Sequence, residues 1–273
     1  MMAGSIRKSK AALGRAIGRF GINRSTLEIE RLRRAFWKQP PGALVHYLDY
    51  DIRITDGPNF YIQCKDEFVH QIYHFDSQRP AAFIIDGGSN MGVSILYFKR
   101  LYPQSRIIGF EPDPNIFALV KENVSRNGLE GVTLIDVGLG GEEGTVSFVA
   151  DNKAAGQFSS DNTGITVRVE RLSPYISEAV DFLKLNIEGQ ELPVLEELEA
   201  SGKISLIREL VLEYHGWANG EQRLGRILNL LDRCGFRYLV HDFDHETGYA
   251  TKPPFRQTKE TVWFCLVHAK RMD

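Results

Sequence analysis

Phe83 to Leu96 reads FIIDGGSNMGVSIL. An apolar run climbs into an aspartate, two glycines and a polar elbow, then turns apolar again at helical spacing. This is the pattern of a buried strand, a tight loop and the start of a helix. Glycines let a backbone approach a ligand closely, and a helix start offers unpaired N–H groups. The elbow from Asp86 to Gly92 is therefore read as a ligand loop.

The same rhythm continues outward from it. Strands are expected at SRIIGFEP (105–112), VTLIDVG (132–138), DFLKLNIEG (181–189), RELVLEYHG (208–216), FRYLVHDF (236–243) and TVWFCLVHA (261–269). Helices are expected from Met91, Asn115, Glu191 and Glu221, with a β excursion through TVSFVA (145–150) and ITVRVERL (165–172). Apolar strands alternating with amphipathic helices imply an α/β fold, an open, doubly wound and mostly parallel sheet covered on both faces. The last two strands are joined by a loop holding Pro253 and Pro254 rather than by a helix, so the final strand is expected to be antiparallel.

Upstream, DIRITDGPNFYIQC (51–64) reads as a hairpin turning at Asp56-Gly57-Pro58-Asn59, followed by a helix from Asp66 to Phe75. Ser25 to Lys38 reads as a helix capped by Ser25 and stopped by Gln39-Pro40-Pro41-Gly42. The expected organisation is a basic extension over 1–41, a lead-in over 42–79 and the ligand-binding domain over 80–273. With 273 residues, 43% hydrophobic and 25% charged, one large domain with an extension fits better than two.

The net charge of −2 gives no global reason for a polyanion partner, and no groove pattern of basic and aromatic residues points to nucleic acid. Cys64, Cys234 and Cys265 are odd in number and lack CxxC spacing, which fits a reducing compartment and makes the cytoplasm the default. No apolar stretch approaches the roughly 20 residues that span a bilayer. Arg7, Lys8, Lys10, Arg15, Arg19 and Arg24 stand without an acidic side chain before Leu27, while Leu13, Ile17 and Phe20 fall on one helix face. Either this is a frayed basic terminus, or it lies on an anionic membrane surface or a partner enzyme.

In doubly wound sheets, ligands sit beyond the carboxyl ends of the strands. A dinucleotide fits poorly here: the alignment Gly87, Ser89, Gly92 lacks the middle glycine of GxGxxG, and Asp86 would stand beside a pyrophosphate. S-adenosylmethionine removes that conflict, since its ammonium and sulfonium are cations. Asp86 then accepts from the methionine end, directly or through water, and Glu111 in GFEPDP accepts from two ribose hydroxyls. Asp136, Val137 or Gly138 borders the adenine, unless Asp136 points into a neighbouring helix surface. Asp113, followed by Pro114, suits a helix N-cap.

FIIDGGSNMGVSIL, IIGFEPDPNIFALVKENVSRNGL, VDFLKLNIEGQELPVLEEL and ELVLEYH together resemble the FkbM family of S-adenosylmethionine-dependent methyltransferases, from Pro80 to His215. The resemblance implies the seven-strand class I methyltransferase fold and transfer to a hydroxyl oxygen, typically on a sugar, glycolipid or polyketide. By the same resemblance Asp86, Gly88, Asn90 and Gly92 match the cofactor loop, and Glu111 the ribose-binding acid. Where the family commonly has aspartate after Lys-Ile or Lys-Leu, this chain has Asn186, one charge fewer at that strand exit.

Asn186 can orient a ligand but cannot act as a base. Glu188 is either a catalytic carboxylate or a helix-entry charge, and His215 either a proton acceptor in the mouth of the sheet or a structural histidine. Magnesium held by Glu188, Glu213 and His215 is the less favoured alternative to direct base catalysis, because Asn186 brings no carboxylate. In HDFDHETG, His241, Asp242, Asp244 and His245 are a second metal candidate that the strand reading breaks. Residues 151–162 look like a loop over the acceptor site, and Trp217 stacks on a sugar or joins the core. The expected activity is O-methylation of a sugar, glycan, glycolipid or related hydroxylated acceptor. The alternatives are methylation of nitrogen or protein, and a cofactor-binding scaffold without turnover in a glycan assembly complex.

Overall fold

A computed structural model of the chain describes residues 24–149, 157–159, 165–217, 220–241, 258 and 262–272. The basic helix face at Leu13, Ile17 and Phe20, most of the loop over 151–162, and Asp242, Asp244 and His245 lie outside the described residues, as does the Trp217 side chain. Among the described residues no helix is long and apolar enough to cross a membrane.

The central sheet has seven strands. The opening stretch supplies β3 (Phe83–Gly87), followed by β4 (Arg106–Phe110), β5 (Val132–Ile135), β10 (Val180–Leu185), β11 (Ile207–Trp217), β12 (Phe236–His241) and β13 (Val262–Arg271), in the order β12-β13-β11-β10-β3-β4-β5. The five strands from β11 to β5 pair in parallel, while β13 runs antiparallel to both β11 and β12. This is the expected doubly wound sheet with its reversed last strand. A smaller sheet grows from the β5–β10 connection: β6 (Gly138–Leu139), β7 (Gly144–Val149), β8 (Gln157–Ser159) and β9 (Ile165–Glu170), in the order β6-β9-β7-β8.

Both faces of the central strands are buried, as their continuous apolar runs require. Ile85, Leu183, Leu185, Leu210 and Leu212 meet α5 (Glu191–Ala200) and α6 (Leu224–Arg233) on one side. Ile84, Phe182 and Val211 meet α3 (Val93–Leu101) and α4 (Pro114–Arg126) on the other. The chain leaves β3 for β4 on one side and later sets β10 on the opposite side, so strand order reverses at β3, where a ligand crevice forms.

Residues before β3 fold differently from the sequence reading. The hairpin is β1 (Leu44–Tyr47) with β2 (Tyr50–Arg53), turning at Leu48 and Asp49. Asp56-Gly57-Pro58-Asn59 instead opens α2 (Gly57–Gln63): the Asp56 carboxylate accepts from the Asn59 N–H at 2.9 Å, and Pro58 lies in the first turn. Asp-Gly-Pro-Asn carries turn and N-cap chemistry at once, and the apolar NFYI run after it selects the helix. The helix expected over 66–75 is replaced by a π-helical turn, Cys64–Val69, that stops at His70. A turn closed by the His74 N–H donating to the Gln71 carbonyl at 2.9 Å follows, and Tyr73 and Phe75 join one buried cluster, the Phe75 ring stacked on Phe182 at 4.3 Å. α1 (Arg24–Phe36) includes Ser25, its expected cap, and buries Leu32 and Phe36 against Ile52, Ile54, Phe60 and Cys64. That cluster also takes Met91, Val93 and Leu96, so the lead-in rests directly on the ligand loop and α3. The helices expected from Met91 and Glu221 start at Val93 and Leu224.

Candidate active site

The loop after β3 has the backbone its glycines permit. Gly88 and Gly92 take φ of +83° and +92°, and a Cβ on Gly88 would meet the Asn186 carbonyl oxygen at 2.0 Å. Gly88 and Ser89 N–H groups both donate to the Phe110 carbonyl, at 3.1 and 2.8 Å, which ties the loop to the end of β4. Asn90, also at positive φ, accepts through its side chain from Met91 N–H at 2.7 Å and from Gln63 of α2 at 3.3 Å.

Glu111 stands at the β4 exit, buried, its carboxylate accepting from the N–H groups of Asn90 and Asp113, each at 2.9 Å. Burial pushes its pKa up to about 7, against the pull of those two bonds. A carboxylate can accept about four hydrogen bonds, so acceptor capacity remains for a ribose diol. Asp113 caps α4 as expected, accepting from Asn115 and Ile116.

Asp86 is placed otherwise than expected. It has no exposed surface, forms an ion pair with Lys184 at 2.9 Å and accepts from the Ser94 hydroxyl at 2.6 Å. In this arrangement the carboxylate faces Lys184 and Ser94 rather than an open surface. Its charge is answered by Lys184, so the electrostatic case against a pyrophosphate no longer rests on Asp86, and Asp86 acts through the loop it anchors. Asp136 is exposed and accepts from Arg168 of β9 at 2.8 Å, turning to the small sheet and not to a helix surface, the sequence alternative. Val137 and Gly138 are buried behind it.

At the β10 and β11 exits the three candidates for chemistry are gathered. Asn186 N–H donates to the Gly87 carbonyl at 3.0 Å, while its side-chain Oδ1 is buried and lacks a hydrogen-bond partner among the described residues. Glu188 is held at φ +53°, ahead of Gly189 at +93°, and its carboxylate lies 3.6 Å from His215 Nε2. A non-glycine residue at positive φ stores strain that the surroundings must hold. The His215 ring packs edge-on against Phe264 at 4.8 Å, and burial pulls its pKa down to about 4, leaving a neutral imidazole at physiological pH.

Glu213, grouped with these two as a metal alternative, turns instead to the Tyr73 hydroxyl, which donates to it. Among the described residues no group of three or more His, Cys, Asp or Glu side chains is gathered as a metal ion would need. Sequence reasoning passed over Glu67, Tyr73 and Lys184, which the fold buries beside Asp86 and Glu213. A lysine inside the apolar run VDFLKL is the one signal that pointed there.

The strand exits thus bring together a glycine turn that a side chain would fill, a buried carboxylate at the second strand tip, and a buried amide oxygen without a hydrogen-bond partner among the described residues. Residues 86–238 match the family model described as Methyltransferase FkbM domain. Methyltransferase 1 of Beauveria bassiana is 28% identical over 186 residues, covering 54% of this chain and 75% of that protein. The 2-O-methyltransferase NoeI of Sinorhizobium fredii is 27% identical over 182 residues, 56% of this chain and 72% of its own length. Among solved structures, methyltransferase FkbM from Methylobacillus flagellatus KT superposes with a TM-score of 0.47 and 16% identity, over 77% of this chain and 52% of that one.

Proposed function

The chain belongs to the FkbM family of S-adenosylmethionine-dependent methyltransferases, and from that premise we propose that it methylates a hydroxyl oxygen of a sugar, glycan, glycolipid or related natural product. The observation that carries this reading is the approach of Glu188 to His215, 3.6 Å apart at the β10 and β11 exits. Alcohols are weak nucleophiles at neutral pH, so a hydroxyl acceptor needs a neighbouring group to take its proton. A nitrogen acceptor with its own lone pair has no such need. The name of the Sinorhizobium relative, a 2-O-methyltransferase, supports oxygen as the target.

S-adenosylmethionine supplies a methyl on a sulfonium, an activated leaving group that needs no covalent help. Glu111 would hold the ribose hydroxyls, and the loop from Gly88 to Gly92 would hold the methionine end. Asn186 orients cofactor or acceptor through its amide. His215, neutral because burial disfavours its charge, accepts the hydroxyl proton as attack proceeds. The Glu188 carboxylate offsets the imidazolium that forms. The main contribution is alignment of acceptor oxygen and methyl with water excluded.

Labelled S-adenosylmethionine, incubated with a panel of glycans and lipid-linked sugars with and without chelator, tests this reading, with mass spectrometry locating the label. The expected result is a methyl on oxygen, retained in chelator. A methyl on nitrogen would sink the acceptor class, and chelator inhibition reversed by magnesium would sink the metal-free base. Separately, His215→Gln and Glu188→Gln are expected to lower kcat by roughly 10²–10⁴ while cofactor affinity by calorimetry stays near the wild-type value. A scaffold would have no turnover to lose.

A further inference from the structure

Lys184 lies on β10, on the sheet face that carries Asn186, and only 3% of its side chain is exposed. An ammonium has three protons to place, and each finds an acceptor: Asp86 Oδ1 at 2.9 Å, the Gly88 carbonyl at 2.9 Å and the Gly87 carbonyl at 3.3 Å. The ring of Tyr73 lies beneath it at 5.3 Å. Burial works against its charge, but Asp86 outweighs that and holds the proton more tightly than on an exposed lysine. Glu67 and Glu213 also surround it, and burial pushes both carboxyls upward, toward the neutral form. Asp86, at 2.9 Å, is the carboxylate in contact with the ammonium.

The two carbonyls belong to the peptides joining Gly87 to Gly88 and Gly88 to Ser89. Their N–H groups are those of Gly88 and Ser89, which both donate to the Phe110 carbonyl of β4. Each peptide plane is thus held at both ends, by Lys184 on one side and β4 on the other. These planes form the turn at which Gly88 takes positive φ and touches Asn186. An ion pair that only filled the core would have no reason to engage both carbonyls of the ligand turn.

We propose that Lys184 is a positioning residue for S-adenosylmethionine, fixing the two peptide planes of the cofactor turn in their ligand-ready orientation through its bonds to Gly87, Gly88 and Asp86. The proposal rests on the family's cofactor and not on the choice of acceptor. With the turn fixed in advance, ordering it is not charged against binding. Without the ammonium the Gly88 carbonyl loses its donor and the Gly87 carbonyl keeps only the Asn186 N–H, the turn samples other orientations, and affinity falls.

Calorimetry with S-adenosylmethionine alone, paired with thermal unfolding, tests this without an acceptor. Lys184→Met leaves Asp86 buried and unpaired, and is expected to lower both stability and affinity. The double variant Lys184→Met, Asp86→Asn removes both charges in similar volume and is expected to unfold within a few degrees of wild type. Its cofactor affinity is nonetheless expected to stay weakened by about tenfold or more, the cost of leaving the buried Gly88 carbonyl without its lysine donor and the Gly87 carbonyl with the Asn186 N–H alone. Wild-type affinity in either variant would overturn the proposal. So would affinity that recovers in step with the unfolding temperature in the double variant, since that marks Lys184 as a structural partner of Asp86. If wild type itself does not take up S-adenosylmethionine, the cofactor assignment fails, a result distinct from either.

Discussion

Glu111 meets two opposed demands. Burial raises its carboxyl to about 7, while the Asn90 and Asp113 N–H groups favour the ionised form. Ribose hydroxyls donating to it would add to the second effect, so cofactor binding should expel a proton wherever the empty site still holds one. Affinity for S-adenosylmethionine is therefore expected to rise between pH 6 and pH 8, and Glu111→Gln to bind more weakly with that pH dependence lost. Equal wild-type affinity at both pH values, measured by calorimetry in matched buffers, would remove Glu111 from the ribose site. Gly88 carries a different constraint. Gly88→Ala forces a side chain into positive φ and against the Asn186 carbonyl at 2.0 Å. The turn must move away from β10, and the expected outcome is loss of cofactor binding in a chain that retains its far-ultraviolet circular dichroism.

The helices divide by how their starts are secured. α4 has both devices that short-range sequence can provide, a capping Asp113 and Pro114 in its first turn, and it forms where expected. Asp113→Ala is expected to cost about 1 kcal/mol, read as a lowered urea midpoint with unchanged slope. The same devices at Asp56 and Pro58 open α2, where alternation had suggested a hairpin turn. Local chemistry there serves two structures equally. What separates them is Phe60, buried against Phe36 at 4.9 Å, a partner 24 residues earlier that no local pattern names. The π-helical turn after α2 has the same origin. It carries Glu67 to the buried face near Lys184 and Asp86, and one extra residue in a turn is a common means of redirecting a side chain at a functional site.

Stability against pH is set by buried groups with opposite slopes. Glu111 and Glu191 are raised by burial from 4.5 to about 7, so folding retains protons that the unfolded chain has shed. Their contribution is full below about pH 4.5 and is lost as pH rises through 7. His215 and His268 are lowered from 6.5 to about 4, so their contribution is present above 6.5 and is lost as pH falls to 4. Between these limits the two pairs oppose each other, and stability should vary little. Glu191→Gln breaks the balance, because the amide keeps an oxygen for the Ile187 and Gly189 N–H groups but has no charge to bury. Relative to wild type, the variant is expected to gain up to about 3 kcal/mol of stability between pH 5 and pH 8. Urea unfolding at the two pH values checks it, and parallel behaviour of the two proteins would refute the assignment.

Sequence alone determined the strand-helix alternation, the reversed last strand, the loop from Asp86 to Gly92, the acid at Glu111 and the cap at Asp113. Each of these is written in neighbours: a run of apolar residues, a proline-bearing loop, glycines after a strand, an acid before a proline. Tertiary structure alone decided how those residues are used. Asp86 was legible as a carboxylate at a strand tip, but whether it faces a ligand or a lysine depends on β10, about a hundred residues later in the chain. The same holds for Glu188 with His215, for Glu213 with Tyr73 and for Phe75 with Phe182. The physical reason is that propensity and capping act over a few residues, whereas a buried charge takes its state from whatever the folded chain places within a few ångströms of it.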